Sequence, residues 1–341
     1  MDISKHILKL EERFHIKINQ PSDLKRKRVS TGVLGLDYLA NGGIIKGKFT
    51  AIYGKQGSMK TTLGVKMIVE AQKRGTCIIV DVEKSLDDVR LIQLGIDIDK
   101  AIILRHNSKS GVGTSGEAFF DAIIAIMRII PIEAVLIDSV SMMSSEYELG
   151  KNVSDKKTLA TSASMLSVGF RMLHNTMGDS TDVIIIAHEK NNPTGIGAKS
   201  YMTGGESLQF YPHYVFNVRK GNVYDKDWCL IGDKINKERE LDKEVYGCEI
   251  TVIGKKIKNA PGNKNINLLI SMETGEPRKG YEILKVGMLM GFINLEGNTY
   301  KINDIGIKCV GFDKFAKLLD DDTEMYNKVY NFLIEKIKNN A

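Results

Sequence analysis

A glycine-rich run, Tyr53 to Thr62, lies between the apolar stretch 49–52 and a segment with helical spacing of apolar residues. In such a turn, backbone N–H groups surround phosphate oxygens, a lysine reaches the β- and γ-phosphates, and a hydroxyl binds Mg²⁺. The last glycine of the pattern G-x-x-x-x-G-K-[ST] is replaced by Met59, so the motif is incomplete. The run predicts a nucleoside triphosphatase with nucleotide-binding residues Gly54, Lys55, Gln56, Gly57, Ser58, Met59, Lys60, Thr61 and Thr62.

Carboxylates follow two other apolar runs. Hydrolysis of a phosphate anhydride needs a metal and a group that orients or deprotonates water. Asp138 follows the run 134–137 and is predicted to bind Mg²⁺ together with Thr61. Glu83 ends the run 77–82 and is predicted to activate water, with Asp81 as the rival on the same strand face. The structural alternative is that these acids only cap the helices that follow.

His188 comes directly after the apolar run 183–187 and directly before a long polar stretch. A donor at this position could contact the γ-phosphate and transmit its presence into residues 189–203. The alternative is a structural histidine at a strand end.

Lys60, Glu83, Asp138 and His188 can form one site only if a sheet brings the ends of their strands together. Short apolar runs alternate with helical segments from Gly32 to Glu273, which predicts an α/β fold with a mostly parallel central sheet. The predicted strands are 49–53, 77–82, 134–137, 183–187 and 214–218, followed by segments at 249–253 and 267–272 that are predicted to be antiparallel. Two stretches rich in polar residues and glycine, 144–157 and 189–205, are predicted to be mobile loops.

The chain ends differ in composition from this core. Residues 3–18 predict an amphipathic helix that packs on another subunit or back on the same core. We divide the chain into an N-terminal helix and linker with a subunit contact (1–30), an ATPase core (31–275) and a small α/β C-terminal lobe (276–341). That lobe is predicted to contain helices at 281–290 and 323–337 around strand-like pieces near 299–301.

Composition excludes several classes of protein. With 43% hydrophobic and 26% charged residues among 341, the chain is an ordinary globular one. It has no apolar run near the roughly 20 residues that span a bilayer and no secretory signal, so we expect a cytoplasmic protein. Its four scattered cysteines favour neither a zinc site nor disulfides. The net charge is +6, and the basic clusters 25–28 and 255–258 either contact phosphates or form a solvated face.

Several motifs, in order and at compatible spacing, resemble the RecA-type recombinases, including the tailed-phage UvsX branch. They are the run 30–37 with the glycines at 42, 43 and 47, the segments 81–87 and 94–99, the run 137–140, and 203–205 with 208–211. The resemblance covers about residues 30 to 337 and implies a RecA-like P-loop ATPase core. Met59 and His188 resemble the phage branch, and the acidic C-terminal tail of bacterial RecA is missing.

The resemblance also implies roles for single residues. Lys60 and His188 would contact phosphates, Glu83 would be the catalytic carboxylate, and Lys256 and Lys258 would reach the ATP of a neighbouring subunit. Asp87 and Arg90 would lie by the adenine, and residues 144–157 and 189–203 would be DNA-binding loops. The DNA-binding candidates are Gly204 and Gly205 by motif, and by charge alone Lys151, Lys156, Lys157, Lys190 and Lys199.

The activity that the resemblance implies is ATP-dependent homologous recombination. With ATP and Mg²⁺, subunits would form a helical filament on single-stranded DNA and exchange strands with a homologous duplex. Single-strand-binding and mediator proteins are further expected partners. Two alternatives stay open on the sequence: a hexameric RecA-fold helicase motor, and a non-catalytic RecA-like regulatory paralogue.

Overall fold

The computed structural model describes residues 3–14, 18, 27–107, 113–152, 161–192, 200–231, 244–258 and 262–339. The strands are β1 (Arg28–Val29), β2 (Ile44–Ile45), β3 (Phe49–Gly54), β4 (Cys77–Asp81), β5 (Ala101–Arg105), β6 (Ala134–Asp138), β7 (Asp182–Asn191), β8 (Ser200–Met202), β9 (Tyr214–Tyr224), β10 (Leu230–Ile231), β11 (Gly247–Ile257), β12 (Asn265–Ser271), β13 (Asn294–Glu296), β14 (Thr299–Ile302) and β15 (Ile307–Val310). The helices are α1 (Ile3–Phe14), α2 (Leu34–Leu39), α3 (Lys60–Gln72), α4 (Asp88–Gln93), α5 (Gly116–Ile129), α6 (Glu146–Leu149), α7 (Thr161–Met177), α8 (Ser207–Phe210), α9 (Lys279–Leu289), α10 (Phe312–Asp321) and α11 (Thr323–Asn339).

In the described part of the chain, the central sheet has ten strands, in the order β12-β11-β9-β3-β7-β6-β4-β5, with β10 paired to β9 and β8 to β7. The strands from β9 to β5 along this order are parallel, whereas β11 and β12 are antiparallel to their neighbours. The predicted α/β fold with a mostly parallel sheet is therefore confirmed. The sequence analysis did not predict β5 or α5, and it ended β7 and β9 too early.

Consecutive residues of the central strands pack into two different cores, because the sheet is covered on both faces. Ile79 and Leu136 lie in the core beneath α3, next to Leu63. Ile78 and Val135 lie in the core beneath α5 and α7. Burial on both faces explains why these strands are continuous apolar runs rather than alternating patterns.

The strand register places the predicted chemistry at one edge of the sheet. Gly54 at the end of β3 pairs with His188 of β7 and with Val218 of β9. Asp81 at the end of β4 pairs with Asp138 of β6. Because parallel strands end at the same edge, residues distant in the sequence meet beside the glycine-rich run.

The predicted mobile loops contain regular structure, so that prediction was wrong in part. The stretch 144–157 includes α6, which begins with a capping box formed by Ser145 and Glu148. The stretch 189–205 begins within β7, which pairs with β8 in the register Glu189 to Met202. The polar composition favoured irregular loops, but local capping and cross-strand pairing supply the backbone hydrogen bonds of regular structure.

The C-terminal helices join the core rather than standing apart. Helix α9 packs on β12 and α2, and residues of α9, α10 and α11 belong to the same hydrophobic core as α3. The buried Glu282 of α9 accepts the N–H of Gly35 at 2.9 Å. The division into core and C-terminal lobe stays a prediction.

Helix α1 exposes apolar side chains, with Leu8 58% and Phe14 56% exposed. Among the residues that the structure describes, no helix is both long and apolar enough to cross a bilayer.

Candidate nucleotide-binding site and adjoining loops

The glycine-rich run forms a tight turn between β3 and α3. Met59, directly before α3, has φ 67° and ψ 22°, the left-handed conformation that glycine adopts without strain. This backbone explains why the motif has glycine here, and it shows that methionine is accommodated in the same conformation. The Lys60 Nζ donates to the carbonyl of Lys55 at 2.8 Å, and the Ser58 hydroxyl donates to the same oxygen at 2.8 Å.

The ammonium group of Lys60 lies in an acidic surrounding. Burial lowers its pKa, whereas Glu83, Asp138 and Glu189 act in the opposite direction. A buried lysine at the N-terminus of a helix, facing carboxylates and exposed loop N–H groups, suits a ligand that carries both phosphates and a metal ion.

Thr61 and Asp138 form a pair that fits Mg²⁺. The Thr61 hydroxyl donates to Asp138 Oδ2 at 2.7 Å. Asp138 Oδ1 is buried and has no hydrogen-bond partner among the described residues. Burial raises the pKa of Asp138 to about 6, and the neighbouring Glu83 and Asp81 carboxylates add to the rise. A hydroxyl and a carboxylate with a free oxygen are the hard donors that Mg²⁺ prefers, and its charge would offset this burial.

The two candidate water-activating carboxylates have different partners. The Asp81 carboxylate accepts the backbone N–H groups of Ser85 at 3.0 Å and Leu86 at 3.2 Å, so it fixes the turn after β4. One oxygen of Glu83 accepts from the Ser139 hydroxyl at 2.7 Å and lies 2.5 Å from His188 Nε2. The Glu83 side chain is 24% exposed, so it can meet water where Asp81, at 2%, cannot.

His188 joins the site to the second polar stretch. Its ring contacts Glu83, while its backbone N–H donates to the Ser141 hydroxyl at 2.9 Å. Its carbonyl accepts the N–H and the hydroxyl of Thr203, both at 2.9 Å. Thr203 stands at the end of the stretch 189–203, directly after β8. His188 therefore contacts both Glu83, through its ring, and the end of the stretch 189–203, through its backbone.

A cavity of about 280 Å³ brings the predicted residues together. Its lining consists of Gln56, Gly57, Ser58, Met59, Lys60, Thr61, Glu83, Asp138, Ile186, His188, Lys220 and Met272. A second cavity of about 550 Å³ lies beside it and contains Lys55, Arg219 and Lys220. The sequence analysis missed Arg219, Lys220 and Met272. Two basic residues directly after the predicted strand 214–218 were the available signal for the first two.

Comparison with known proteins decides the family. A sequence model described as the RecA N-terminal domain matches residues 4–245. The protein RecA of Rickettsia bellii (strain RML369-C) is 28% identical over 326 residues, covering 94% of this chain and 88% of that protein. The protein RecA of Clostridium tetani (strain Massachusetts / E88) is 28% identical over 334 residues, covering 95% of this chain and 88% of that protein. The chain belongs to the RecA family.

RecA-family proteins are DNA recombinases and DNA-dependent ATPases that use ATP with Mg²⁺, and the predicted resemblance to RecA-type recombinases is thereby confirmed. The finer placement of this RecA-family chain in the phage UvsX branch stays a prediction.

Asp87 is the N-cap of α4, and Arg90 lies within that helix. The Asp87 carboxylate caps α4 by accepting the backbone N–H of Arg90 at 2.6 Å. The Arg90 guanidinium donates to the carbonyls of Glu273 at 2.6 Å and Met272 at 2.9 Å. Neither side chain is among the described residues that line the cavity, although Met272 is.

Lys256 and Lys258 lie far from the cavity of their own chain. Lys256 pairs with Val215, which pairs with Ala51, so it lies toward the edge of the sheet opposite to the glycine-rich run. Its Nζ donates to the carbonyl of Gln209 at 2.6 Å. Burial lowers the pKa of Lys256, and the nearby Lys258 lowers it further. The role of these two lysines at the nucleotide of a neighbouring subunit stays a prediction.

The loop candidates are described in part. Lys151 lies 4.2 Å from the centre of the Tyr147 ring, and Lys190 is exposed at the end of β7. Gly204 and Gly205, with φ of 115° and 80°, form the turn between β8 and α8. Lys156, Lys157 and Lys199 lie outside the described residues.

Proposed function

We propose that the protein is an ATP-dependent DNA recombinase. Its subunits form a helical filament on single-stranded DNA with ATP and Mg²⁺, and the filament pairs homologous duplex DNA and exchanges strands. We further propose that it acts in the cytoplasm, together with single-strand-binding and mediator proteins. The observation that carries this proposal is the unbroken contact from Glu83 in the cavity, through His188, to Thr203 at the root of the second polar stretch.

The phosphates of ATP bind in the turn before α3. The backbone N–H groups of residues 55–60 hold the phosphate oxygens, and Lys60 exchanges the carbonyl of Lys55 for the β- and γ-phosphates. The Thr61 hydroxyl and the Asp138 carboxylate, which has one unpaired oxygen, would hold Mg²⁺, and the ion would supply positive charge opposite the charge that develops on the phosphates. The nucleotide thus replaces contacts that the loop makes with itself.

Glu83 orients the attacking water and accepts its proton. Ser139 holds the Glu83 carboxylate toward the cavity at 2.7 Å, which limits its rotamers. Lys60 and His188 donate to the γ-phosphate and to the oxygen that leaves with ADP. Positioning and charge stabilisation supply most of the acceleration in phosphoryl transfer.

DNA affinity follows the nucleotide state through His188. When its ring turns from Glu83 to the γ-phosphate, the bonds to Ser141 and Thr203 carry the change into residues 189–203. Gly204, Gly205 and the basic residues of the two loops contact DNA phosphates, so binding is largely independent of sequence and weakens with salt. Coupling of this kind is reciprocal, so DNA raises the affinity for ATP.

Assembly completes the ATPase site. Lys256 and Lys258 face away from their own cavity and donate to the γ-phosphate bound by the adjacent subunit, as arginine fingers do. Hydrolysis therefore depends on filament formation.

Glu83→Gln tests the catalytic assignment, with Asp81→Asn as the matched control. Loss of a general base lowers turnover by about 10²- to 10⁴-fold, so Glu83→Gln is expected to bind ATP, form filaments on DNA and hardly hydrolyse. Asp81→Asn is expected to lower the free energy of unfolding instead, because its carboxylate holds the turn after β4. Turnover at the wild-type rate in Glu83→Gln would refute the role of Glu83.

Strand exchange between homologous DNAs, with electron microscopy of the same samples, separates the proposal from its alternatives. Open filaments of variable length together with exchanged strands support the recombinase. Rings of fixed subunit number favour the helicase motor. A folded, DNA-binding preparation without exchange or turnover identifies the regulatory paralogue.

A further inference from the structure

A turn at the end of β12 forms one wall of the nucleotide cavity. Met272, the first residue after β12, lines the cavity together with the glycine-rich run. Gly275 follows with φ +68°, and a Cβ there would lie 2.6 Å from the Thr62 side chain. The turn thus packs directly against the first turn of α3, the helix whose N-terminus is proposed to bind phosphates.

Two cations contact this turn, one from α3 and one from α4. On the side of α3, the buried Lys66 Nζ donates to the Leu94 carbonyl at 2.9 Å and pairs with Glu276. On the side of α4, the Arg90 guanidinium donates through one nitrogen to Glu273 and through the other to Met272.

Arg90 reaches the turn because its own backbone is fixed. Asp87 caps α4 through the N–H of Arg90, which sets the direction in which the long side chain leaves the helix. The two carbonyls match the planar fork of a guanidinium, whereas a lysine would present a single rotating point charge. With both ends of the fork engaged on backbone oxygens, the guanidinium is directed to the turn rather than to a ligand.

We propose that Arg90 is a positioning residue that holds Met272 as the surface against which the nucleotide base packs. The inference rests on the proposed ATP-binding function. Glu83, Asp138 and His188 supply the polar groups proposed to face the phosphates and the metal, whereas Met272 adds an apolar side chain to the lining, which suits a base. A methionine thioether makes favourable contacts with aromatic rings. Arg90 therefore sets affinity for the base by fixing the Met272 carbonyl, and it does not itself contact the nucleotide.

Titration of the full chain with ATP and with inorganic tripolyphosphate tests this role. Arg90→Ala is expected to weaken ATP binding about tenfold, the usual effect of losing hydrogen bonds from a charged donor, and to leave tripolyphosphate binding unchanged. Arg90→Lys is expected to fall between wild type and Arg90→Ala. In steady-state ATP hydrolysis, KM rises by the same factor while kcat changes less than about twofold. Arg128→Ala, on exposed α5 surface, is the matched control.

A double-mutant cycle with Met272→Ala separates positioning from direct contact. If Arg90 acts through Met272, Arg90→Ala adds little to the loss already caused by Met272→Ala. Additive losses would mean that Arg90 contacts the nucleotide itself, and equal weakening of tripolyphosphate would mean a general distortion of the phosphate loop; either result overturns the inference. If wild type fails to bind ATP, the proposed function is wrong. If wild type binds ATP and Arg90→Ala binds it equally well, only this inference fails.

Discussion

Replacing Glu282 by glutamine is expected to stabilise the protein increasingly as the pH rises. The Glu282 side chain is buried in the contact between α9 and α2, where it accepts the N–H of Gly35. Burial raises the pKa of Glu282 to about 8, the bond from Gly35 opposes the rise, and the nearby Asp37 carboxyl adds to it. At neutral pH the native protein therefore keeps a proton on this group.

The sign and size of this pH dependence follow from the different pKa values of Glu282 in the unfolded and native states. In the unfolded chain Glu282 ionises above pH 4.5, whereas in the native state it ionises above about pH 8. Because the native pKa is the higher one, the stability linked to this proton is complete below pH 4.5 and is lost as the pH rises toward 8. Each pH unit in this window removes at most about 1.4 kcal/mol, so the loss between about pH 5 and pH 7 is on the order of 2 kcal/mol. Glutamine keeps an oxygen for Gly35 and has no proton to lose.

Urea unfolding followed by circular dichroism, at about pH 5, 6 and 7, measures the difference between Glu282→Gln and wild type. The free energy of unfolding of the variant, relative to wild type, is expected to increase with each pH step. Glu335→Gln is the control, because its carboxylate is exposed on α11, a helix that packs on α9, and its effect should not change with pH. A difference for Glu282→Gln that stays constant from pH 5 to pH 7 would mean that the native protein holds Glu282 ionised.

Three further substitutions test other parts of the structure. Met59→Gly is expected to bind ATP as wild type does, whereas Met59→Val, which is strained at φ 67°, should bind at least about tenfold more weakly by calorimetry. Lys256→Ala combined with Lys258→Ala should reduce DNA-stimulated ATPase activity and spare ATP binding by isolated subunits; undiminished stimulation would remove the cross-subunit role. Glu148→Gln weakens the bonds that Glu148 accepts from Thr161 and Ser162, so hydrogen exchange in α6 and the first turn of α7 should accelerate about tenfold while the urea midpoint stays constant; unchanged exchange would contradict this role.

The phosphate loop and the carboxylates beside it were predictable because parallel strands bring their carboxyl ends to one edge. Apolar runs located β3, β4 and β6, so Lys60, Glu83 and Asp138 followed as neighbours. Periodicity could not separate Glu83 from Asp81, because both leave the same strand face. That choice depends on which backbone N–H groups the next turn offers, and those of Ser85 and Leu86 engage Asp81.

Other features depended on contacts between distant residues. Strand β5 has four consecutive apolar residues, 101–104, that the sequence analysis overlooked, and its half-buried place at the sheet edge follows from its pairing with β4. Arg90 donates hydrogen bonds to Met272 and Glu273, which lie 182 and 183 residues further along the chain, and no local sequence pattern predicts that contact. Lys220 was missed because β9 continues with exposed residues past the buried run that predicted it.

His188 contacts both the catalytic cavity and the end of the stretch 189–203, and the proposed cycle requires these two regions to change together. Its ring contacts the carboxylate proposed to activate water, and its backbone is bound on both sides, to Ser141 and to Thr203. The His188 ring can leave Glu83 by side-chain rotation, and any backbone shift that accompanies this rotation passes to Ser141 and Thr203 through the backbone bonds of the same residue. Ser141 also joins the two sides directly, because its hydroxyl lies 2.6 Å from the hydroxyl of Thr203. His188, Ser141 and Thr203 form a closed ring of hydrogen bonds, so a backbone shift at His188 is expected to reach the end of the stretch 189–203 as one step rather than as a gradual strain.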